Sequence, residues 1–92
     1  MSIKRIKRAV KEERYQFTMH ALEEMDEDDL TEEEVRAVLL RGLLADELTD
    51  DPRGVRFVVR GLPPNEDREV EVVCRFLPSG LLRIITVYAV EE

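Results

Sequence analysis

The chain has 92 residues, of which 38% are charged, and its net charge at pH 7 is −7. This length supports one domain with a single modest core, and the overall acidity argues against general adhesion to nucleic acid. The single cysteine excludes an internal disulfide, and no apolar run is long enough to span a membrane, so we expect a cytoplasmic protein without a membrane partner.

The charge is unevenly distributed along the chain. Residues 1–20 carry six basic and two acidic side chains, whereas residues 21–51 carry two basic and thirteen acidic side chains. This pattern is compatible with a local basic site for nucleic acid and with a basic partner chain on the acidic segment. Solvated helix faces without any partner are the simpler explanation of both segments.

The first 17 residues predict one helix followed by a break. Ile3, Ile6 and Val10 recur at spacings of three and four among lysines and arginines. This spacing is typical of a short amphipathic helix with a basic outer face. Residues 15–17 interrupt the helical pattern, and we expect them to form a short connection.

A start signal at Thr18 predicts the second helix. Thr18 is expected to be the N-cap, and the helix to end near Met25. The helical spacing places Ala21, Leu22 and Met25 toward the core. His20, in the first turn, lies off this apolar stripe.

The third helix has a stronger start signal. Thr31 and Glu34 have the spacing of a capping box, in which each side chain binds the other residue's backbone amide. The helix should end at Gly42, which we expect to adopt the left-handed conformation that often follows a helix.

The second half of the chain predicts four strands. β-Branched and aromatic residues flank Pro78, Ser79 and Gly80, which indicates a β-hairpin over residues 70–90 with a three-residue loop. Alternation predicts another strand at residues 55–60 and a weaker one at residues 43–48. Three helices followed by four strands in a meander indicate an α+β fold, with N-terminal helices packed on one face of a four-stranded antiparallel sheet.

The hairpin register predicts a cluster of arginines. It places Arg75 directly opposite Arg83, and alternation adds Arg56 and Arg60 to the same sheet face. Two like charges in direct opposition are unfavourable unless an anion lies between them. We expect Glu71 or a ligand to provide that anion.

The same register assigns Cys74 and Tyr88 to the apolar face that meets the helices. For Cys74, a buried and unreactive thiol is the expected state. For Tyr88, we expect a core residue whose hydroxyl has a hydrogen-bond partner.

Several short motifs resemble one bacterial family. They are Phe17-Thr-Met-His20-Ala-Leu-Glu-Glu-Met25, Leu30-Thr-Glu-Glu-Glu-Val35, Gly42 and the closing Ile85-Thr-Val-Tyr88. The chain resembles domain-of-unknown-function family 4258, in which a Phe-x-x-His-Ala-x-x-Arg-Met helix start precedes a Gly-Ile-Ser-x-Glu-x-Val helix and the chain closes on Thr-Val-Tyr. That family is distantly similar to RelE-like toxins, which are ribosome-dependent or free ribonucleases neutralised by an antitoxin. The resemblance implies a single RelE-like domain over residues 1–92, an RNA substrate and an antitoxin partner.

One position departs from the family pattern. The family's arginine before methionine is Glu24 in this chain, and an acidic run follows it. If that arginine binds phosphate in active relatives, this chain lacks the group, and a carboxylate there would repel RNA. The resemblance therefore supports the fold better than the activity.

Metal-independent RNA cleavage needs a base for the 2′-hydroxyl, an acid for the leaving oxygen and cations for the charge that develops on phosphorus. The catalytic candidates are His20, Arg75, Arg83 and Tyr88. The candidates for substrate binding are Arg56 and Arg60. The simpler explanations are a surface histidine and arginines paired with Glu69, Glu71, Asp46 or Glu47. No cofactor or metal is expected, since one histidine and one cysteine cannot build a zinc site and no glycine-rich phosphate loop is present.

Two hypotheses follow from the sequence. The first is a toxin-like protein of a toxin–antitoxin pair, either a metal-independent ribonuclease or a degenerate relative of one. The second is a non-enzymatic module that binds a partner protein through its acidic helices or an open sheet edge. If residues 43–48 form such an edge, a homodimer or an added antitoxin strand becomes feasible.

Overall fold

The computed structural model describes residues 2–91, although not the side chain of Ser2, and contains three helices and five strands. The elements in chain order are α1 (Ser2–Lys11), β1 (Tyr15–Phe17), α2 (Met19–Glu27), α3 (Glu32–Arg41), β2 (Leu43–Leu48), β3 (Arg56–Gly61), β4 (Val70–Phe76) and β5 (Leu82–Ala89). None of the helices described is both long enough and apolar enough to cross a membrane.

The strands form one mixed sheet in the order β1-β5-β4-β3-β2. The α+β class and the three helices are confirmed, but the prediction of four antiparallel strands is wrong because β1 adds a fifth strand, parallel to β5. Three residues are too few to show a strand period, and the partner of β1 lies more than sixty residues further along the chain. β2 lies at the opposite edge, which meets the condition that we set for pairing with an added strand.

The helices pack on one face of the sheet and bury a single core. Ile6 and Val10 of α1, Val35 and Leu39 of α3, and Ile84 of β5 are fully buried in it. Each apolar stripe therefore faces the sheet, as amphipathic spacing predicts. Leu22 is the exception, since 37% of it is exposed, whereas Ala21 and Met25 of the same helix are buried.

The predicted helix starts are confirmed. The Thr18 hydroxyl accepts a hydrogen bond from the Ala21 amide at 3.1 Å. Thr31 and Glu34 form the reciprocal capping box, with the Glu34 carboxylate accepting from the Thr31 amide at 2.9 Å. These contacts satisfy amides that have no partner within the first turn of a helix.

Gly42 ends α3, but not in the left-handed conformation that we predicted. Its φ of −75° and ψ of 178° are extended values that any residue can adopt. Glycine is needed here for close approach, because a Cβ atom would lie 2.5 Å from the Val38 carbonyl oxygen and 2.6 Å from that of Arg60. The position therefore sets how closely the end of α3 approaches β3.

The hairpin register is confirmed as far as Ile84. Arg75 pairs with Arg83, and Gly80, with φ of +91°, occupies the left-handed position of the turn. Beyond this point, Cys74 pairs with Ile84 but Val73 pairs with Thr86, so Ile85 is an extra residue on β5. Such a bulge moves every later side chain to the other face of the sheet. Tyr88 therefore lies on the face away from the helices, and its prediction as a core residue is wrong.

Candidate functional site

The sheet face that the helices leave uncovered, here called the open face, carries all four predicted arginines. Its polar side chains on the three central strands are Arg56 and Arg60 of β3, Glu71 and Arg75 of β4, and Arg83, Thr86 and Tyr88 of β5. On the outer strands, Gln16 of β1 pairs with Arg83, and Asp46 of β2 pairs with Val58. Val58 and Val73 lie between the arginines and are only 7% and 8% exposed, although no helix covers them. Long arginine side chains around these valines shield them from water.

The anion beside Arg75 is Asp51, and not Glu71, which was one of the two anions that we expected there. Its Oδ2 atom lies 3.5 Å from Nη1 of Arg75 and 3.7 Å from Nε of Arg56. The pKa of Asp51 is lowered to about 2. The main causes are hydrogen bonds from the side chain and backbone amide of Arg53, followed by the charges of Arg53 and Arg56. Asp51 is therefore ionised at neutral pH and offsets the opposed charges of Arg75 and Arg83.

Arg60 lies in a second cluster, further along the open face. Its Nε atom is 3.5 Å from carboxylate oxygens of both Glu69 and Glu71. The Tyr88 hydroxyl donates a hydrogen bond to Glu71, and this bond is the main reason that the pKa of Tyr88 is raised to about 12. Pairing of an arginine with Glu69 and Glu71 is thus confirmed, and so is a hydrogen-bonded Tyr88 hydroxyl, but on the open face.

Arg83 differs from the other three arginines. Its neighbours across the sheet are Gln16 of β1 and Arg75 of β4. The Nε atom of Arg83 is buried without a hydrogen-bond partner, as are those of Arg56 and Arg60. Unlike the other three arginines, however, Arg83 has no carboxylate within ion-pair distance among residues 2–91. A buried cationic donor without an acceptor is costly, so Arg83 is the arginine most in need of an anion.

His20 lies at the edge of the sheet. Its side chain is 66% exposed, and Nε2 is 3.3 Å from a carboxylate oxygen of Glu24. No hydrogen bond or ion pair joins His20 to any of the four arginines in the part of the chain that the structure describes. Glu24 also accepts the Val87 amide at 3.0 Å, and Asp28 accepts the Ala89 amide at 3.1 Å. Helix α2 thus supplies acceptors to the part of β5 that β1 is too short to cover.

The remaining candidate groups lie elsewhere. Cys74 is fully buried, and burial raises the pKa of its thiol to about 12, which excludes a reactive thiolate at neutral pH. Residues 2–91 contain no group of three or more potential metal-ligating side chains. A concavity of about 460 Å³ is lined by Asp67, Arg68, Glu69, Val90 and Glu91, none of which is a predicted site residue.

Asp51 and Gln16 were not predicted as members of the site. Asp51 occurs in a turn-forming sequence, Asp-Asp-Pro-Arg-Gly, which predicts a loop but not what the loop contacts. Gln16 belongs to the strand that the sequence did not predict. The only sequence signal for Gln16 would have been an alternation of side chains in β1 that placed this residue beside Arg83.

Comparison with known proteins identifies the family but no characterised relative. A search of the curated proteins and a search of the solved structures found no match. A family model described as Domain of unknown function (DUF4258) matches residues 17–89, which is most of the chain and leaves out α1. The chain belongs to this family of proteins, DUF4258.

Proposed function

We propose that this protein is the toxin-like member of a toxin–antitoxin pair, and that it binds RNA on the open face and cleaves it without a metal. The observation that carries the proposal is the bulge at Ile85, which aligns Tyr88, Glu71 and Arg60 across neighbouring strands of one exposed sheet face. The similarity of the family to RelE-like toxins stays a prediction, and it supplies the antitoxin partner.

The open face offers two rows of side chains with different tasks. The row of Arg83 and Arg75 lies near the hairpin turn, and the row of Tyr88, Glu71 and Arg60 lies further along the strands. The spacing of strand residues separates the two rows by roughly 13 Å at the backbone, so one phosphate does not sit between both. We therefore assign phosphate anchoring to Arg83 and Arg75, and the chemistry to the second row.

The second row contains the groups that RNA cleavage requires. Glu71, whose carboxylate lies 3.5 Å from Nε of Arg60, removes the proton of the 2′-hydroxyl while the 2′-oxygen attacks phosphorus. Tyr88, protonated at neutral pH because its pKa is about 12, gives its proton to the departing 5′-oxygen. The products are a 2′,3′-cyclic phosphate and a 5′-hydroxyl. The proton on Glu71 then returns to the Tyr88 oxygen through their hydrogen bond, which restores both groups.

His20 keeps a secondary place in the proposal. It lies on α2 beside β5, where an exposed imidazole could exchange protons with the second row only through Glu24 or water. Arg56, held by Asp50 and Asp51, extends the anchoring row. These two positions are expected to affect activity less than Tyr88 or Arg83.

The test is cleavage of a labelled single-stranded RNA by purified protein in EDTA. The wild type should yield cyclic-phosphate ends, and Tyr88→Phe should lower kcat by at least ~100-fold, the usual contribution of a general acid. Arg83→Ala should mainly raise KM. Two control variants should behave as wild type. They are Tyr15→Phe, which changes the tyrosine on the helix side of the sheet, and Arg68→Ala, which changes a surface arginine away from the open face. Intact RNA with the wild type, together with harmless expression in cells, would rule out the enzyme.

A second candidate function rests on β2. This strand forms the sheet edge opposite β1, and Leu43 at its start is 76% exposed. An added strand from a partner protein or from a second copy would extend the sheet there. If RNA stays intact, protection of the β2 amides from hydrogen exchange on adding a partner would support this binding module, and unchanged exchange would argue against it.

A further inference from the structure

The loop of residues 49–55, between β2 and β3, contacts the arginines of the open face through the side chains of Asp50 and Asp51. Most of this loop is exposed, and the carboxylate of Asp50 is 83% exposed. The carboxylate of Asp51, by contrast, is only 7% exposed. Asp50 therefore meets Arg56 from the solvent side, with its Oδ1 atom 3.3 Å from Nη2 of Arg56, while Asp51 is turned inward onto the sheet.

The inward carboxylate binds the anchoring row. Asp51 lies within 3.7 Å of guanidinium nitrogens of both Arg75 and Arg56. The Arg75 side chain is 11% exposed beneath the loop, and a Cβ atom at Gly54 would lie 3.7 Å from its Cδ atom. One carboxylate oxygen facing a pair of arginines makes the same contacts that a phosphate oxygen would make.

The loop is held on the sheet mainly by these polar contacts. Among its residues, no apolar side chain belongs to the core, and Val55 is 38% exposed. Internal hydrogen bonds shape the turn, from the Arg53 amide to the Asp51 carboxylate at 2.9 Å and from the Gly54 amide to the Asp51 carbonyl at 3.1 Å. The loop can therefore leave the open face without exposing the core.

We propose that Asp51 is an internal competitor that occupies the anion site of Arg75 and Arg56, so that a phosphate ligand binds there only by displacing the loop. This inference rests on the proposed function for its biological ligand, RNA phosphate, but the competition itself is testable with a simple anion. A carboxylate that remains ionised at neutral pH is not released by physiological changes in pH, so the ligand has to displace it.

The experiment compares two isosteric variants, Asp51→Asn and Asp67→Asn, by calorimetric titration with inorganic pyrophosphate. Both remove one negative charge, but Asp67 lies in the exposed segment between β3 and β4, and within residues 2–91 no ion pair joins it to an arginine of the open face. Competition predicts that Asp51→Asn binds about tenfold more tightly than the wild type, equivalent to about 1.4 kcal/mol. Asp67→Asn should change affinity less than twofold, and adding Arg75→Ala to Asp51→Asn should abolish the gain. Equal affinities of the two single variants would overturn the proposal.

A second measurement on the wild type covers the case in which Asp51→Asn does not fold. Saturating pyrophosphate should abolish the nuclear Overhauser contact between the α-protons of Gly54 and the δ-protons of Arg75, because the turn that brings them together leaves the sheet. A contact that is retained under saturation, or no binding by any folded form, would also overturn the proposal. The two proposals fail separately. Tighter pyrophosphate binding by Asp51→Asn without RNA cleavage would refute only the proposed ribonuclease activity. RNA cleavage with equal pyrophosphate affinities would refute only the proposed competition by Asp51.

Discussion

Replacement of Gly42 by alanine tests how α3 is joined to the sheet. Because the backbone of Gly42 is extended, the alanine itself is not strained, and reduced freedom of the unfolded chain alone would stabilise the protein by about 0.4–1 kcal/mol. The new Cβ atom, however, would lie 2.5 Å from the Val38 oxygen and 2.6 Å from the Arg60 oxygen. Both atoms are backbone, so the end of α3 has to move away from β3 by the better part of an ångström.

Overpacking of this kind costs about 1–3 kcal/mol and more where backbone has to shift. We therefore expect Gly42→Ala to lower the free energy of unfolding by about 2–3 kcal/mol, measured by guanidinium denaturation. Gly61→Ala is the matched control, since its Cβ atom would come no closer than 3.2 Å to Gly42. Gly42→Asn should be no better than Gly42→Ala, whereas a left-handed helix end would tolerate asparagine. A Gly42→Ala protein as stable as the wild type would refute this reasoning.

Three further outcomes follow from the perturbed ionisations. Tyr88 should ionise near pH 12 in an absorbance titration, and Glu71→Ala should move the transition toward the ordinary value of about 10; an unmoved transition would contradict their hydrogen bond. Cys74 should react with a thiol reagent only as fast as the protein unfolds, and rapid labelling of the native state would contradict its burial. Because the pKa of Asp51 is lowered to about 2, its contribution to stability is complete above about pH 4 and is lost as the pH falls toward 2. Denaturation midpoints of the wild type and Asp51→Asn should therefore converge across that window, and a constant difference would exclude the linkage.

The parts of the fold that local chemistry determines were predictable. The capping box at Thr31 and the apolar spacing of α1 each depend on residues within one or two turns, and the structure confirms both. β1 was not predictable, because the pairing of Tyr15 with Leu82 depends on chain segments far apart in sequence. Gly42 shows a third case, in which the residue type was informative but the reason for glycine was tertiary packing.

The candidate site likewise contains features that the local sequence predicts and features that depend on distant parts of the chain. Alternation was sufficient to place Arg75 opposite Arg83, since nothing irregular lies between the turn and that pair. One extra residue at Ile85 then reversed the predicted face of Tyr88. The Thr18 hydroxyl donates a hydrogen bond to the Ile85 carbonyl at 3.1 Å, so the bulge meets the start of α2, a contact that no pattern within the strand can show. Asp51 was missed for a similar reason, because its partners are set by how the loop folds back.

The structure shows a role for Glu24 that the sequence did not indicate. Considered as sequence, Glu24 replaces an arginine of the family pattern and weakens the case for activity. Its carboxylate accepts the Val87 amide at the exposed edge of β5, which an arginine could not do. Its charge also adds, after the larger effect of Glu71, to the raised pKa of Tyr88. A carboxylate that holds the edge of β5 has a structural role that is compatible with a proton-donating Tyr88, so the departure does not by itself count against catalysis on the open face.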